Sequence, residues 1–111
     1  MMLGKHCFLS LYDCNRSLLD DREFLVKMVE EAAEVSGATV VQTIFKKFEP
    51  QGVTVLTLLE ESHISIHTWP ESGEAAVDIF TCGQKCKPTK GAEFIVDKLD
   101  PNSYNMDVVD R

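Results

Sequence analysis

Val53-Thr54-Val55-Leu56-Thr57-Leu58-Leu59, His63-Ile64-Ser65-Ile66-His67-Thr68 and Ala75-Ala76-Val77-Asp78-Ile79-Phe80-Thr81 are three strand-like runs in close succession. Pro70-Glu71-Ser72-Gly73 joins the second to the third with tight-turn chemistry, since proline presets φ and glycine tolerates positive φ. A further strand-like run, Thr39–Phe48, precedes them across Glu49-Pro50-Gln51-Gly52, which has the composition of a hairpin turn. Four consecutive strands with short connections predict a mainly antiparallel sheet.

Outward from this block, His6–Tyr12 reads as a short strand. Asp20-Asp21-Arg22-Glu23 then supplies acidic residues suited to a helix start. Phe24, Leu25, Met28, Val29, Ala32 and Ala33 recur at helical spacing as far as Gly37, a C-terminal stop. Beyond the sheet block, Lys90–Leu99 predicts a second helix and Asn105–Val109 a last strand, after the breaker Pro101-Asn102. The order strand, helix, four strands, helix, strand implies an α+β fold: a two-layer α/β sandwich with a mainly antiparallel sheet and two helices on one face. At 111 residues and 44% hydrophobic content, residues 1–111 are expected to form one domain.

A formal net charge of −7, from 18 acidic against 11 basic residues, disfavours nucleic acid and anionic membrane as partners and suits a cationic small molecule. No apolar run approaches the roughly 20 residues that cross a bilayer, and no secretory signal is evident, so a cytoplasmic location is expected. Cys7, Cys14, Cys82 and Cys86 are then expected to be free thiols. The C-x3-C spacing of Cys82 and Cys86 does not match common zinc sites, and no metal is expected.

The chemistry concentrates between Glu61 and Gly83, where a hydroxyl, two imidazoles, a carboxylate and a thiol occur together. His63 and His67, four apart in a strand, project to one face, whereas regular alternation puts Ser62 on the other, so a bend is expected at Ser62. Read from the residues alone, Ser62 is an ordinary strand serine, Phe48 a core aromatic and Cys82 a small buried hydrophobe. Glu61-Ser62-His63-Ile64-Ser65-Ile66-His67-Thr68-Trp69-Pro70-Glu71 gives a different answer when taken with three other segments. These are Gly4-Lys5-His6, Phe48-Glu49-Pro50-Gln51-Gly52-Val53 and Thr81-Cys82-Gly83. Together they resemble the self-cleaving, pyruvoyl-dependent S-adenosylmethionine decarboxylases of the short bacterial and archaeal type.

That resemblance implies a chain that cuts itself between Glu61 and Ser62, leaving fragment 1–61 bound to fragment 62–111. Ser62 becomes a covalent pyruvoyl cofactor, whose carbonyl accepts the charge left when carbon dioxide departs, a sink that unmodified side chains lack. It further implies that His67 supports the proton transfers of processing, with Thr54 standing where the family usually carries a helpful serine. Cys82 protonates the decarboxylated carbon, Phe48 stacks on the substrate's adenine and Glu71 accepts hydrogen bonds from its ribose. A homodimer with sites near the subunit contact also follows from the resemblance. His63 is read as structural, as are Cys7, Cys14 and Cys86; Trp69 and Asp78 are assigned to packing and local hydrogen bonding.

Ser10, Val55, Glu60 and Glu74 depart from the family's usual acidic residue, glycine, serine and tyrosine. The leading expectation is conversion of S-adenosylmethionine to its decarboxylated form for spermidine synthesis. An alternative keeps the cofactor and acts on ornithine or arginine, with Glu74 a further candidate for binding the distal cation. A second alternative is a non-catalytic regulatory paralogue, which has no chemical need for Ser62, His67 and Cys82 together.

Overall fold

Alternating side chains let each strand bury one face and leave the other open, and that division builds the protein. The computed structural model describes residues 4–83 and 85–111. Its elements run β1 (Gly4–Tyr12), α1 (Arg16–Leu19), α2 (Arg22–Val35), β2 (Val40–Lys47), β3 (Val53–Leu59), β4 (Ser62–Trp69), β5 (Glu74–Cys82), α3 (Pro88–Leu99) and β6 (Ser103–Asp110). The strands form one sheet in the order β2-β3-β4-β5-β1-β6, with every neighbouring pair antiparallel. This is the expected α+β sandwich.

One sheet face supplies Cys7, Leu9 and Leu11 from β1, Val53, Val55 and Leu59 from β3, Ile64 and Ile66 from β4, and Val77 and Ile79 from β5, all buried. Against it pack Leu25, Met28, Val29, Ala32 and Ala33 of α2 with Ala92, Ile95 and Leu99 of α3. Asp21 caps α2 by accepting the Phe24 N–H at 3.0 Å, which satisfies one of the orphan donors of its first turn. The helices meet at Gly91, where a Cβ would lie 2.9 Å from the Ala32 carbonyl oxygen.

Two helices are expected from the sequence, and the described residues form three. The extra one, α1, is a single turn whose Asn15 side chain accepts the Leu18 N–H at 3.1 Å. Too short to show a helical period, it turns the chain from β1 into α2 and buries Leu19. Helix α3 starts at Pro88, two residues before the expected Lys90, because proline has no N–H to lose at a first helical position. Near α1, Asp20 accepts the Gly52 N–H and a Lys47 ammonium proton, both at 2.9 Å. These contacts, the Gly52 N–H first, lower its pKa and pin the β2–β3 hairpin.

Among the described residues, no helix covers the opposite face of the sheet. Phe8, Ile44, Leu56, Leu58, Trp69 and Val109 point from it and remain 43–54% exposed. Among the described residues, no helix is long and apolar enough to cross a membrane.

Candidate active site

Strand β4 carries most of the chemistry on the open face. Ser62 pairs with Thr81, and by parity its side chain belongs to the helix-covered face with Ile64 and Ile66. The backbone breaks that parity: φ at Ser62 is 146°, on the positive side that L-residues rarely adopt. This is the bend expected from the sequence. It brings Ser62 Oγ to 3.3 Å from Nδ1 of His63, on the open face. Immediately before the bend, the Glu61 carbonyl oxygen accepts the Cys82 backbone N–H at 3.0 Å. Glu61 is further tied down by its carboxylate, which accepts the Thr39 N–H at 3.0 Å.

Cys82, the last residue of β5, is exposed, whereas Cys7, Cys14 and Cys86 are buried; all four are free thiols. Burial, reinforced by nearby Asp107 and Asp13 respectively, pushes the Cys7 and Cys14 thiols up to about 11, which keeps them protonated and inert. Of the four, Cys82 is the exposed one, and its backbone N–H reaches the Glu61 carbonyl that precedes Ser62.

Asp78 organises the centre of the open face. Its Oδ2 accepts His6 Nε2–H at 2.8 Å and His63 Nε2–H at 3.0 Å, and its Oδ1 accepts the Ser65 hydroxyl. Arg111 donates to the remaining His6 nitrogen, Nδ1, at 3.3 Å. Burial raises the Asp78 pKa, but the hydrogen bonds from Ser65, His6 and His63 outweigh it and hold the carboxyl below its usual range. Ligand atoms of His6, His63 and Asp78 lie within 4.8 Å of one another. Both imidazoles sit at hydrogen-bond distance from one carboxylate oxygen, so the cluster is a hydrogen-bond network. Sequence reading missed it, because His6 and Asp78 are 72 residues apart and meet only through the pairing of β1 with β5.

Thr54 and His67 form a second, separate group. They are cross-strand partners, with Thr54 Oγ1 3.0 Å from His67 Nδ1. Phe48 and Glu71 lie at this end of the sheet, Phe48 exposed where its N–H closes the β2–β3 turn on the Gly52 carbonyl, and Glu71 exposed in the β4–β5 turn. Glu74 opens β5 opposite Trp69, exposed, its carboxylate accepting the Ser72 hydroxyl at 3.0 Å. The candidate residues thus fall into two sets at opposite ends of β4. Ser62 and His67 are five positions apart, about 16 Å of extended strand. Between the sets, Phe8, Ser10, Ser65, His67, Ala76 and Asp78 line a shallow depression of about 210 Å³.

The chain's sequence and its sheet resemble those of known proteins. Residues 5–111 match the family model described as S-adenosylmethionine decarboxylase. The S-adenosylmethionine decarboxylase proenzyme of Synechococcus sp. (strain WH7803) is 57% identical over 105 residues, 95% of this chain and 82% of that one. The proenzyme of the same name from Methanococcus aeolicus is 47% identical over 104 residues, covering 94% and 89%. The crystal structure of the adenosylmethionine decarboxylase from Aquifex aeolicus superposes with a TM-score of 0.92 at 35% identity, covering 99% of this chain and 91% of that one. Family match and fold together define a pyruvoyl-dependent decarboxylase. Within that class, the chain belongs to the S-adenosylmethionine decarboxylase family.

Proposed function

We propose that this chain cuts itself between Glu61 and Ser62 and then decarboxylates S-adenosylmethionine, giving the decarboxylated aminopropyl donor used in spermidine synthesis. The observation that carries the cleavage position is the backbone at that bond, a strained Ser62 following a carbonyl held by the Cys82 N–H. Fragments 1–61 and 62–111 would stay together, because β3 and β4 remain paired from Leu59–Ser62 to Thr54–His67 across the break. The residues fit a pyruvoyl group made in place: the serine follows a carbonyl that is hydrogen-bonded by the backbone N–H of Cys82. When formed, that group supplies the electron sink for loss of carbon dioxide. Cys82 delivers the proton to the decarboxylated carbon, being the exposed cysteine that follows Thr81, the strand partner of Ser62.

His67, Thr54, Phe48 and Glu71 lie too far along the sheet to serve the Ser62 of the same copy, at about 16 Å of strand. A homodimer removes the difficulty. Two open faces related by a two-fold axis, with strands running oppositely, bring each Ser62 end against the His67 end of the partner subunit. Phe8, Ile44, Leu56 and Leu58 supply the apolar surface such a contact buries. In this arrangement His67, steadied by Thr54, serves processing, while Phe48 stacks on adenine and Glu71 binds the ribose hydroxyls. The −7 charge suits the cationic substrate, and four free thiols suit a reducing cytoplasm.

No observation favours ornithine or arginine. Glu74, the residue offered for their distal cation, is solvent-exposed and engaged by Ser72 in a turn. Intact mass spectrometry of purified protein, followed by carbon dioxide release from S-adenosylmethionine, ornithine and arginine, tests the reading. Two fragments split at Glu61–Ser62, with release from S-adenosylmethionine alone, are expected. A single silent 12.5 kDa species would sink it.

A further inference from the structure

Self-cleavage begins when the Ser62 hydroxyl loses its proton, and the groups around Ser62 identify an acceptor. Asp78 is ionised and can only accept hydrogen bonds, so the His63 nitrogen 3.0 Å from it, Nε2, carries a proton. A neutral imidazole then has a bare lone pair at Nδ1, and Nδ1 is the atom 3.3 Å from Ser62 Oγ. His6 does not compete for the serine, since its Nδ1 accepts from Arg111 and its Nε2–H is on the same Asp78 oxygen. Serine, imidazole and carboxylate are therefore in line, with the tautomer set by the carboxylate, as in nucleophile activation on unrelated folds.

We propose that His63 is the general base for the first step of self-processing, and that Asp78 is the positioning residue that fixes its tautomer. The inference rests on cleavage at Glu61–Ser62. Ser62 Oγ–H gives its proton to His63 Nδ1 as the Oγ–C bond to the Glu61 carbonyl forms. The carbonyl electron pair moves onto oxygen, where the Cys82 N–H, already at 3.0 Å, receives the charge. Collapse breaks the bond from the Glu61 carbonyl carbon to the Ser62 nitrogen, and the imidazolium returns its proton to that nitrogen. The peptide becomes an ester with a free amine, and atoms and charge balance without any co-reactant. His67 is left for the later elimination. His63 thus has a part that its sequence position gave no reason to assign.

Self-cleavage of freshly translated full-length chain, followed by intact mass against time, tests this. His63→Asn is expected to slow loss of the uncleaved species at least about 100-fold, within the range of general-base catalysis. The accumulating chain should resist hydroxylamine, which cleaves esters and not peptides, and added imidazole should partly restore the rate in His63→Gly. Asp78→Asn should slow cleavage about tenfold or more. Because these variants also test folding, the tautomer is read separately by ¹⁵N NMR in uncleavable Ser62→Ala protein. The His63 proton is expected on Nε2, and on Nδ1 once Asp78→Asn is added. Wild-type cleavage rates in His63→Asn, a hydroxylamine-labile ester building up in it, or an Nδ1–H tautomer beside intact Asp78 would each overturn the assignment. Absence of wild-type cleavage at Glu61–Ser62 would instead overturn the proposed function.

Discussion

Ser62 and Cys82 divide their work between backbone and side chain. In processing, Cys82 contributes its N–H to the Glu61 carbonyl, which any residue but proline retains. In the proposed turnover its thiol is the proton donor. Cys82→Ala is therefore expected to cleave while carbon dioxide release falls about 100-fold or more, the usual loss for a missing proton donor; release at the wild-type rate would remove the thiol from the mechanism. Ser62→Ala, which deletes the nucleophile and leaves the fold, should run as one uncleaved, inactive 12.5 kDa chain on intact mass analysis. Ser62 and Cys82 were readable in the sequence because they sit in one contiguous motif. Asp78 was read only as a local hydrogen-bonding residue, because its partners arrive from β1 and β4 through sheet pairing.

Strands and helices carry different obligations. The α2–α3 contact depends on Gly91, where a methyl group would meet the Ala32 carbonyl at 2.9 Å. Gly91→Ala should lower stability by about 1–3 kcal/mol through overpacking, despite alanine's better helix propensity, and a thermal melt gives the sign directly. On the open face, the Asp78 carboxyl titrates below its usual range because Ser65, His6 and His63 offset its burial. A depressed folded pKa contributes stability that is complete above the unfolded value, about 3.9, and lost as pH falls through the folded one. The stability of Ser62→Ala protein should therefore fall with acid below about pH 4, more steeply than in the double variant that adds Asp78→Asn. Equal slopes would show that the network does not hold the carboxylate. The strands and two longer helices were legible from period and turn chemistry; α1 was not, since one turn offers no period to read.

For the assembled protein, the separation of Ser62 from His67 makes a specific demand. If each site combines two copies, Ser62→Ala and His67→Ala chains, each deficient alone, should complement when co-expressed. The mixed dimer holds one intact pairing, Ser62 of one copy with His67 of the other, and so the His67→Ala chain should be cut. Mass analysis reads this unambiguously, and no cleavage in a verified mixed dimer would place both residues' work within one copy. Sedimentation of the wild-type protein should likewise give twice 12.5 kDa, driven by the apolar open face.

Local spacing along the chain was enough to establish an antiparallel sheet with helices on one side and a motif marking Glu61–Ser62, because hydrophobic period, turn residues and a contiguous motif are all short-range properties. Three features required the tertiary structure: the positive φ of Ser62, the Asp78 network and the division of the candidate residues between two ends of one sheet. Each depends on which strands lie side by side and in what register. Pairing of β1 with β5 closes a gap of 72 residues to a hydrogen bond, while an extended β4 holds residues five apart about 16 Å from one another.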